Sequence, residues 1–373
     1  MNIVLNRKHL PELLLMLNGY VVGGAVRDFL MERPIKDVDV ATGLHPEIVT
    51  KTCKIYGWDV YPTGLDHGTV TVRKDDATYE VTTFRKDVDT DGRHAVVEFG
   101  ATMEEDSRRR DFTMNALYMG RDGAIYDYHN GLQHIINKEL RFVGDTEKRL
   151  EEDGLRIMRY FRFMSENVEL KCRTPDLEVI VKNSGLINNC SNERIWSEFS
   201  RILGGNGAYK ITGLMKSCGV LLNNDEVLGD LRNIGCDPIV RLHVLLTNDY
   251  SADDLKLMFA LSNDDYKRLH DLEVNPKMDT DDMTHIEQMF YRYGIQFVMD
   301  SHMAQRHQIT LDGLEMPKFP VTGQDLLDLG FKEGKILGQH MRQMEDDWLN
   351  SNLKLTKQQL LIRAHLVEGT ILF

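Results

Sequence analysis

No apolar run in this chain of 373 residues approaches the ~20 residues that a helix needs to cross a bilayer, so a membrane-spanning reading is set aside. Cysteine is sparse: Cys53, Cys172, Cys190, Cys218 and Cys236 are odd in number, scattered, and never spaced as CxxC. Neither a disulfide framework nor a zinc site is expected, which fits a reducing compartment. Repeats of fixed period and low-complexity tracts are missing too. The first twenty residues contain a Leu-rich stretch but no basic region ahead of a small-residue cleavage site. An opening helix is expected there, not a signal peptide. Positive charge is also short, the formal net charge being −13, and phosphate binding rewards the opposite sign. Clustering tempers that objection. Arg108, Arg109 and Arg110 are consecutive, and Arg156, Arg159 and Arg162 recur every third residue. A basic cleft on an acidic body therefore stays open.

What remains is the composition of a soluble globular protein, 42% hydrophobic and 28% charged, long enough for two to four domains. The first ~140 residues mix short β-rich runs with helices. Tyr20 to Val22, Val38 to Val40, Thr69 to Val72 and Tyr79 to Phe84 read as strands; Arg27 to Leu30 and Pro46 to Tyr56 read as helices. From about Arg141 strands give way to long helical segments, the first being a continuous helix over Glu147 to Ser165 interrupted in composition only by Gly154. Joints are expected at Gly204-Gly205-Asn206-Gly207, at Asn275-Pro276 to Asp282, and at Met316-Pro317 to Pro320.

The chemistry concentrates in Gly23-Gly24-Ala25-Val26-Arg27-Asp28, followed by Asp37-Val38-Asp39. Two carboxylates two apart on a strand leave the same face and can hold Mg²⁺, which takes one or two carboxylates plus substrate phosphates. A glycine turn ahead of a helix offers backbone N–H groups to phosphate at Gly24, with the fork of Arg27 beside it. Glu80, on a later strand, either supplies a third carboxylate or orders the first two. Arg110 suits a triphosphate oxygen, and Asp111 can accept from a ribose hydroxyl.

These residues resemble the first motif of the class II nucleotidyltransferases, the tRNA CCA-adding enzymes and bacterial poly(A) polymerases. The resemblance continues at Arg109-Arg110-Asp111-Phe112-Thr113-Met114-Asn115-Ala116-Leu117, at Glu152-Asp153-Gly154-Leu155-Arg156, and at Glu193-Arg194-Ile195-Trp196-Ser197-Glu198. It implies a polymerase-β-like α/β head over 1–140, an all-α neck over 141–203, a body over 204–280 and a tRNA-binding tail over 281–373, together forming a crescent. It further implies a cytoplasmic, template-independent enzyme that adds CCA to tRNA from CTP and ATP with Mg²⁺. A CC-adding enzyme, an A-adding enzyme and a poly(A) polymerase share the same motifs. No oligomeric state follows.

Base choice has its own logic. Cytosine and adenine present an exocyclic amino donor beside a ring-nitrogen acceptor; uracil and guanine present the reverse. Asp153 and Arg156, three apart on one face of the expected helix, offer an acceptor beside a donor and so match C and A. The resemblance implies that the Glu152-Asp153-x-x-Arg156 segment is such an amino-acid template. Arg159 and Arg162 extend the same face as candidate phosphate ligands. Arg85 to His94 is expected as a polar, mobile loop, and Glu193 to Glu198 as a brace pairing charges across the neck helices.

Overall fold

The computed structural model describes residues 7–65, 68–90, 95–220, 230–246, 249–275, 278–279, 282–305 and 315–369. The chain divides into two compact units, Met1–Glu226 and Val227–Phe373.

The first unit opens with α1 (Leu10–Leu17), whose Leu10, Leu13, Leu14 and Leu17 recur at helical spacing and are all buried. Strand β1 (Tyr20–Val22) follows, then α2 (Gly24–Leu30), β2 (Asp39–Thr42), α3 (Pro46–Ile55), β3 (Asp59–Gly64), β4 (Thr69–Lys74) and β5 (Ala77–Thr83). Next come β6 (Arg85–Thr90), β7 (Ala95–Phe99), α4 (Met103–Arg108), β8 (Leu117–Met119), β9 (Ile125–Asp127) and α5 (Gly131–Asn137). Seven strands form one sheet in the order β3-β4-β5-β2-β1-β8-β9. Only β2 and β5 pair in parallel, in a register that sets Asp39 beside Glu80. The apolar side chains Val21, Val40, Val70, Val72 and Val81 fill one face of this sheet. The expected strands and helices of this region all form, with ends within a few residues.

Strands β6 and β7 pair with each other alone, as a second, two-stranded antiparallel sheet. Arg85 to Thr90 is thus strand where a polar, mobile loop was expected, its backbone pairing antiparallel with Ala95–Phe99 across an irregularity between Asp87 and Asp89. Asp91 to His94 lie outside the described residues.

Helices complete the unit: α6 (Thr146–Glu152), α7 (Leu155–Glu166), α8 (Thr174–Lys182), α9 (Asn192–Gly204) and α10 (Ala208–Ser217). The expected continuous helix over 147–165 is two helices. Asp153 is extended (φ −155°, ψ 105°), and Gly154 restarts the chain as α7. A Cβ at Gly154 would lie 2.5 Å from the carbonyl oxygen of Leu186, so the glycine permits a backbone approach that bends the path here. Helix α7 is pinned by Phe112, Phe142, Tyr160 and Phe163, with ring centroids 4.9 to 5.6 Å apart for Phe112–Phe142, Phe112–Phe163 and Phe142–Tyr160. That aromatic cluster fixes the Arg109 to Leu117 segment against the helix carrying Arg156, Arg159 and Arg162.

In the described residues, the second unit is helical from α11 (Pro238–Leu246) to α18 (Lys357–Gly369). One of its cores gathers Met278, Ile286, Met289, Phe297 and Val298; another gathers Leu326, Phe331, Met344, Trp348 and Leu360. Arg268 bridges Asp237 and Asp300 at 2.9 and 2.7 Å. Pro276, part of an expected joint, lies outside the described residues.

Candidate active site

The sheet delivers the carboxylates. Exposure alternates along Asp37, Val38, Asp39 and Val40, outward at the aspartates and inward at the valines. Both acids therefore leave one face, although the ladder itself begins only at Asp39. Glu80 stands beside Asp39 in register. The three line an open cleft of about 630 Å³, with Arg7, Lys36 and Thr71 among its walls. Although Asp39 opens to solvent along the cleft, the surrounding walls desolvate its carboxyl and push it up, Glu80 and Asp37 push it further by like charge, and Arg110 opposes them. Among the described residues none of the three acids has a salt bridge. Such uncompensated carboxylates suit a divalent cation that keeps part of its coordination for phosphate oxygens. Among the described residues no three or more His, Cys, Asp or Glu side chains are grouped closely enough to hold a metal ion, so the two aspartates would have to share it with substrate oxygens.

The glycine turn sets backbone beside an arginine. Gly23 adopts φ +71°, a conformation that L side chains rarely take, and its N–H is already donated to Leu117 O at 3.2 Å. A Cβ at Gly23 would lie 3.4 Å from Nη1 of Arg110. The other two nitrogens of that guanidinium are held: Nε donates to Tyr118 Oη at 3.2 Å and Nη2 to Asp106 Oδ2 at 3.1 Å. Arg110 also stacks on the Tyr118 ring, 5.2 Å from its centroid. Nη1, with no hydrogen-bond partner among the described residues, faces the glycine turn, and the guanidinium charge acts on Asp39.

Arg27 stands close by but is differently engaged. Its Nε and Nη2 donate to the neighbouring Asp28 at 2.8 and 2.9 Å, and Nη1 donates to Asn115 Oδ1 at 2.8 Å. The guanidinium lies 5.1 Å from the Phe163 ring centroid on α7. A Cβ on Gly24 would come within 3.6 Å of it. The fork expected to hold phosphate is turned to Asp28 and Asn115, so Arg27 shapes the wall beneath the glycine turn.

Asp111, expected to accept from a ribose hydroxyl, is engaged within the protein. Its two oxygens receive four donors: Phe112 N at 2.8 Å, Asn115 Nδ2 at 3.1 Å, and Arg159 Nε and Nη2 at 2.9 and 2.5 Å. No lone pair is left for a ribose hydroxyl. Burial would raise its pKa, but Arg159 outweighs that and holds the carboxyl below the ordinary range. Arg159 in turn spends its fork on Asp111 instead of a phosphate. Arg162 is buried against Phe163 and paired with Glu198 at 3.0 Å, which withdraws it from the expected basic face. Burial lowers its pKa, with Glu198 opposing.

The base-reading pair does not share a helix face. Asp153 lies in the break between α6 and α7, where Oδ1 accepts from Leu155 N at 3.1 Å and Oδ2 from Arg194 at 2.9 Å. Arg156, in the first turn of α7, donates to Glu152 at 2.6 Å and to Arg149 O at 2.8 Å. The two remain adjacent, since Arg156 N donates to Asp153 O at 3.0 Å. Arg194 and Glu198 on α9 reach Asp153 and Arg162, so the Glu193 to Glu198 segment does pair charges across helices. The residues not anticipated from sequence are the partners: Asp106, Asn115 and Tyr118. Asp106 was visible in principle, three and four residues ahead of Arg109 and Arg110, which follow the end of α4 directly.

The family described as "Poly A polymerase head domain" matches residues 19–141, and that described as "Probable RNA and SrmB- binding site of polymerase A" matches residues 177–223. The chain is 32% identical over 370 residues to "CCA tRNA nucleotidyltransferase 1, mitochondrial" of Danio rerio, which covers 91% of this chain and 85% of that protein. It is 43% identical over 201 residues to the CCA-adding enzyme of Bacillus cytotoxicus, 53% of this chain and 48% of that enzyme. Among solved structures, the Bacillus stearothermophilus CCA-adding enzyme in complex with CTP superposes with a TM-score of 0.76 at 26% identity, covering 96% of this chain and 98% of that one. The Thermotoga maritima CCA-adding enzyme complexed with tRNA shares the fold, with a TM-score of 0.64 at 16% identity over 98% and 97% of the two chains.

Proposed function

The chain belongs to the family of CCA tRNA nucleotidyltransferases, and we propose that it extends tRNA 3′ ends by C, C and A from CTP and ATP, without a nucleic-acid template. The tRNA 3′-hydroxyl attacks the α-phosphorus of the incoming nucleotide, and pyrophosphate leaves. The observation that carries this reading is the Nη1 edge of Arg110, which faces the Gly23 turn at 3.4 Å from a Cβ there while Nε and Nη2 are held by Tyr118 and Asp106. A triphosphate lying along the turn meets a fixed cation at one end and the carboxylate cleft at the other. Preorganised charge of this kind costs no reorganisation as the reaction proceeds.

Asp37 and Asp39 are the residues that would hold Mg²⁺, and Glu80, beside Asp39 in register, would order them. Bound there, the metal supplies activation of the attacking hydroxyl and neutralisation of the leaving pyrophosphate. Arg110 and the Gly23-Gly24 backbone orient the triphosphate, with Arg27 and Asn115 supporting the turn from below. Asp153 and Arg156 read the base edge, once Arg194 and Glu152 give up their hold on those two side chains. A site built to hydrogen-bond one edge pattern rejects the opposite pattern because its own groups are left unpaired.

The test is a set of tRNA transcripts ending before CCA, after C and after CC, each supplied with one labelled nucleotide and Mg²⁺. Ordered addition of C, C and A followed by a stop is expected. Label from UTP or GTP at comparable rates would refute the base-reading role, and addition of long A tracts would favour a poly(A) polymerase.

A further inference from the structure

We infer that Asp106 is a positioning residue for nucleotide binding, one that aims Arg110 at the triphosphate while touching no substrate itself. This rests on the reading of Arg110 given above. Asp106 lies on α4 and is 1% exposed. Its Oδ2 accepts from Tyr118 Oη at 2.6 Å and from Arg110 Nη2 at 3.1 Å. Its Oδ1 accepts from Arg109 Nε at 2.9 Å and from the backbone N–H of Arg85, the first residue of β6, at 3.3 Å. Four donors from three places in the chain therefore fix one carboxylate.

The arrangement has a direction. Tyr118 bridges the pair, donating to Asp106 and accepting from Arg110 Nε, while its ring carries the guanidinium on its face. Two edges of Arg110 are consumed by this clamp, and the third is left facing Gly23. A long, flexible arginine would otherwise have to be ordered by the nucleotide itself, and immobilising such a side chain weakens binding. Asp106 also balances only one of the two arginines it holds, so the pair retains a net positive charge for an anion. Arg109 and Arg110 together outweigh the burial that would raise the Asp106 carboxyl, and it stays ionised.

The experiment is equilibrium binding of ATP and of AMP, with Mg²⁺, to the full chain carrying Asp106→Asn, Tyr118→Phe, Arg110→Ala, or Asp106→Asn with Arg110→Ala. Asp106→Asn should weaken ATP about tenfold and leave AMP within about twofold; Tyr118→Phe should do the same to a smaller degree. On the Arg110→Ala background, Asp106→Asn should add nothing further, since it acts through the residue already removed. If Arg110→Ala leaves the ATP-to-AMP preference intact, the triphosphate reading of Arg110 itself fails. If Arg110→Ala abolishes the preference but Asp106→Asn keeps it, or loses ATP and AMP alike, the positioning role is overturned. Should Asp106→Asn not fold, the soluble Tyr118→Phe decides: an unchanged preference there overturns the proposal.

Discussion

The acids and the arginines of this site are kept in opposite states. Asp37, Asp39 and Glu80 face an open cleft with no salt bridge among the described residues, and Asp39 is pushed towards protonation by desolvation against the cleft walls and by Glu80. Arg27, Arg110, Arg159 and Arg162 are each tied to a carboxylate: Asp28, Asp106, Asp111 and Glu198. Unpaired like charges close together are unfavourable, and a protein retains them where a cation is to be bound. Paired cations are the reverse, costly to disturb and useful as fixed geometry. The acid side is therefore built to receive and the arginine side to hold still. Substitutions of the acids should therefore fall on activity and those of the buried pairs Arg159–Asp111 and Arg162–Glu198 on stability, with Arg110, clamped on two edges and turned to the glycine turn on the third, standing between the two.

The largest effect belongs to the acids. Asp39→Ala is expected to reduce nucleotide incorporation at least about 10³-fold. Its melting temperature should stay the same or rise, because like-charge repulsion with Glu80 is relieved. Primer extension and a thermal melt on the same preparation check both halves; an active or strongly destabilised variant breaks the comparison. Base choice comes next. Asp153→Ala is expected to narrow the preference for CTP over UTP by roughly 10²-fold, since one half of the edge-reading pair is gone. Competition between the two labelled nucleotides measures it, and an unchanged ratio would remove Asp153 from the template.

Much of this division could be read in the sequence, and the part that could not has a physical cause. The glycine turn, the Asp37/Asp39 alternation and the strand Tyr20 to Val22 depend on local periodicity, which a sequence displays directly. The arginines were legible as charges but not as partners. Arg162 turns inward because Glu198 lies 36 residues further along, on a helix packed against α7, and Asp111 is saturated by Arg159 from 48 residues away. Tertiary context of that kind leaves no periodic trace. The break at Asp153 is intermediate. Gly154 marked it, but the reason is the Leu186 carbonyl pressing against the glycine's open side. Helical spacing alone therefore misplaced the Asp153 carboxylate.

On the arginine side the strongest stability effect should come from Glu198→Gln. It takes the nearer counter-charge from the buried Arg162 guanidinium, with Glu166 remaining at 3.9 Å, and breaking a buried pair typically costs about 3 kcal/mol or more. The unfolding midpoint in urea should fall while the KM for CTP changes little, since neither residue reaches the cleft. Equal loss of stability in Asp39→Ala and Glu198→Gln would erase the distinction between receiving and holding charges.

The smallest expected effect tests the same pairing through pH. Arg159 holds the Asp111 carboxyl below its ordinary value in the folded protein, whereas in the unfolded chain it titrates near about 3.9. A carboxylate with a depressed folded pKa contributes its full stability above the unfolded value and loses it as pH falls through the folded one. Asp111→Asn removes that contribution at neutral pH and has nothing left to lose in acid. Wild type and variant should therefore converge: the gap between their melting temperatures, widest near pH 6, should shrink by at most about 5 °C towards pH 3. A gap that stays constant over this range would mean that Asp111 stabilises the fold by packing and hydrogen bonds, not by its charge against Arg159.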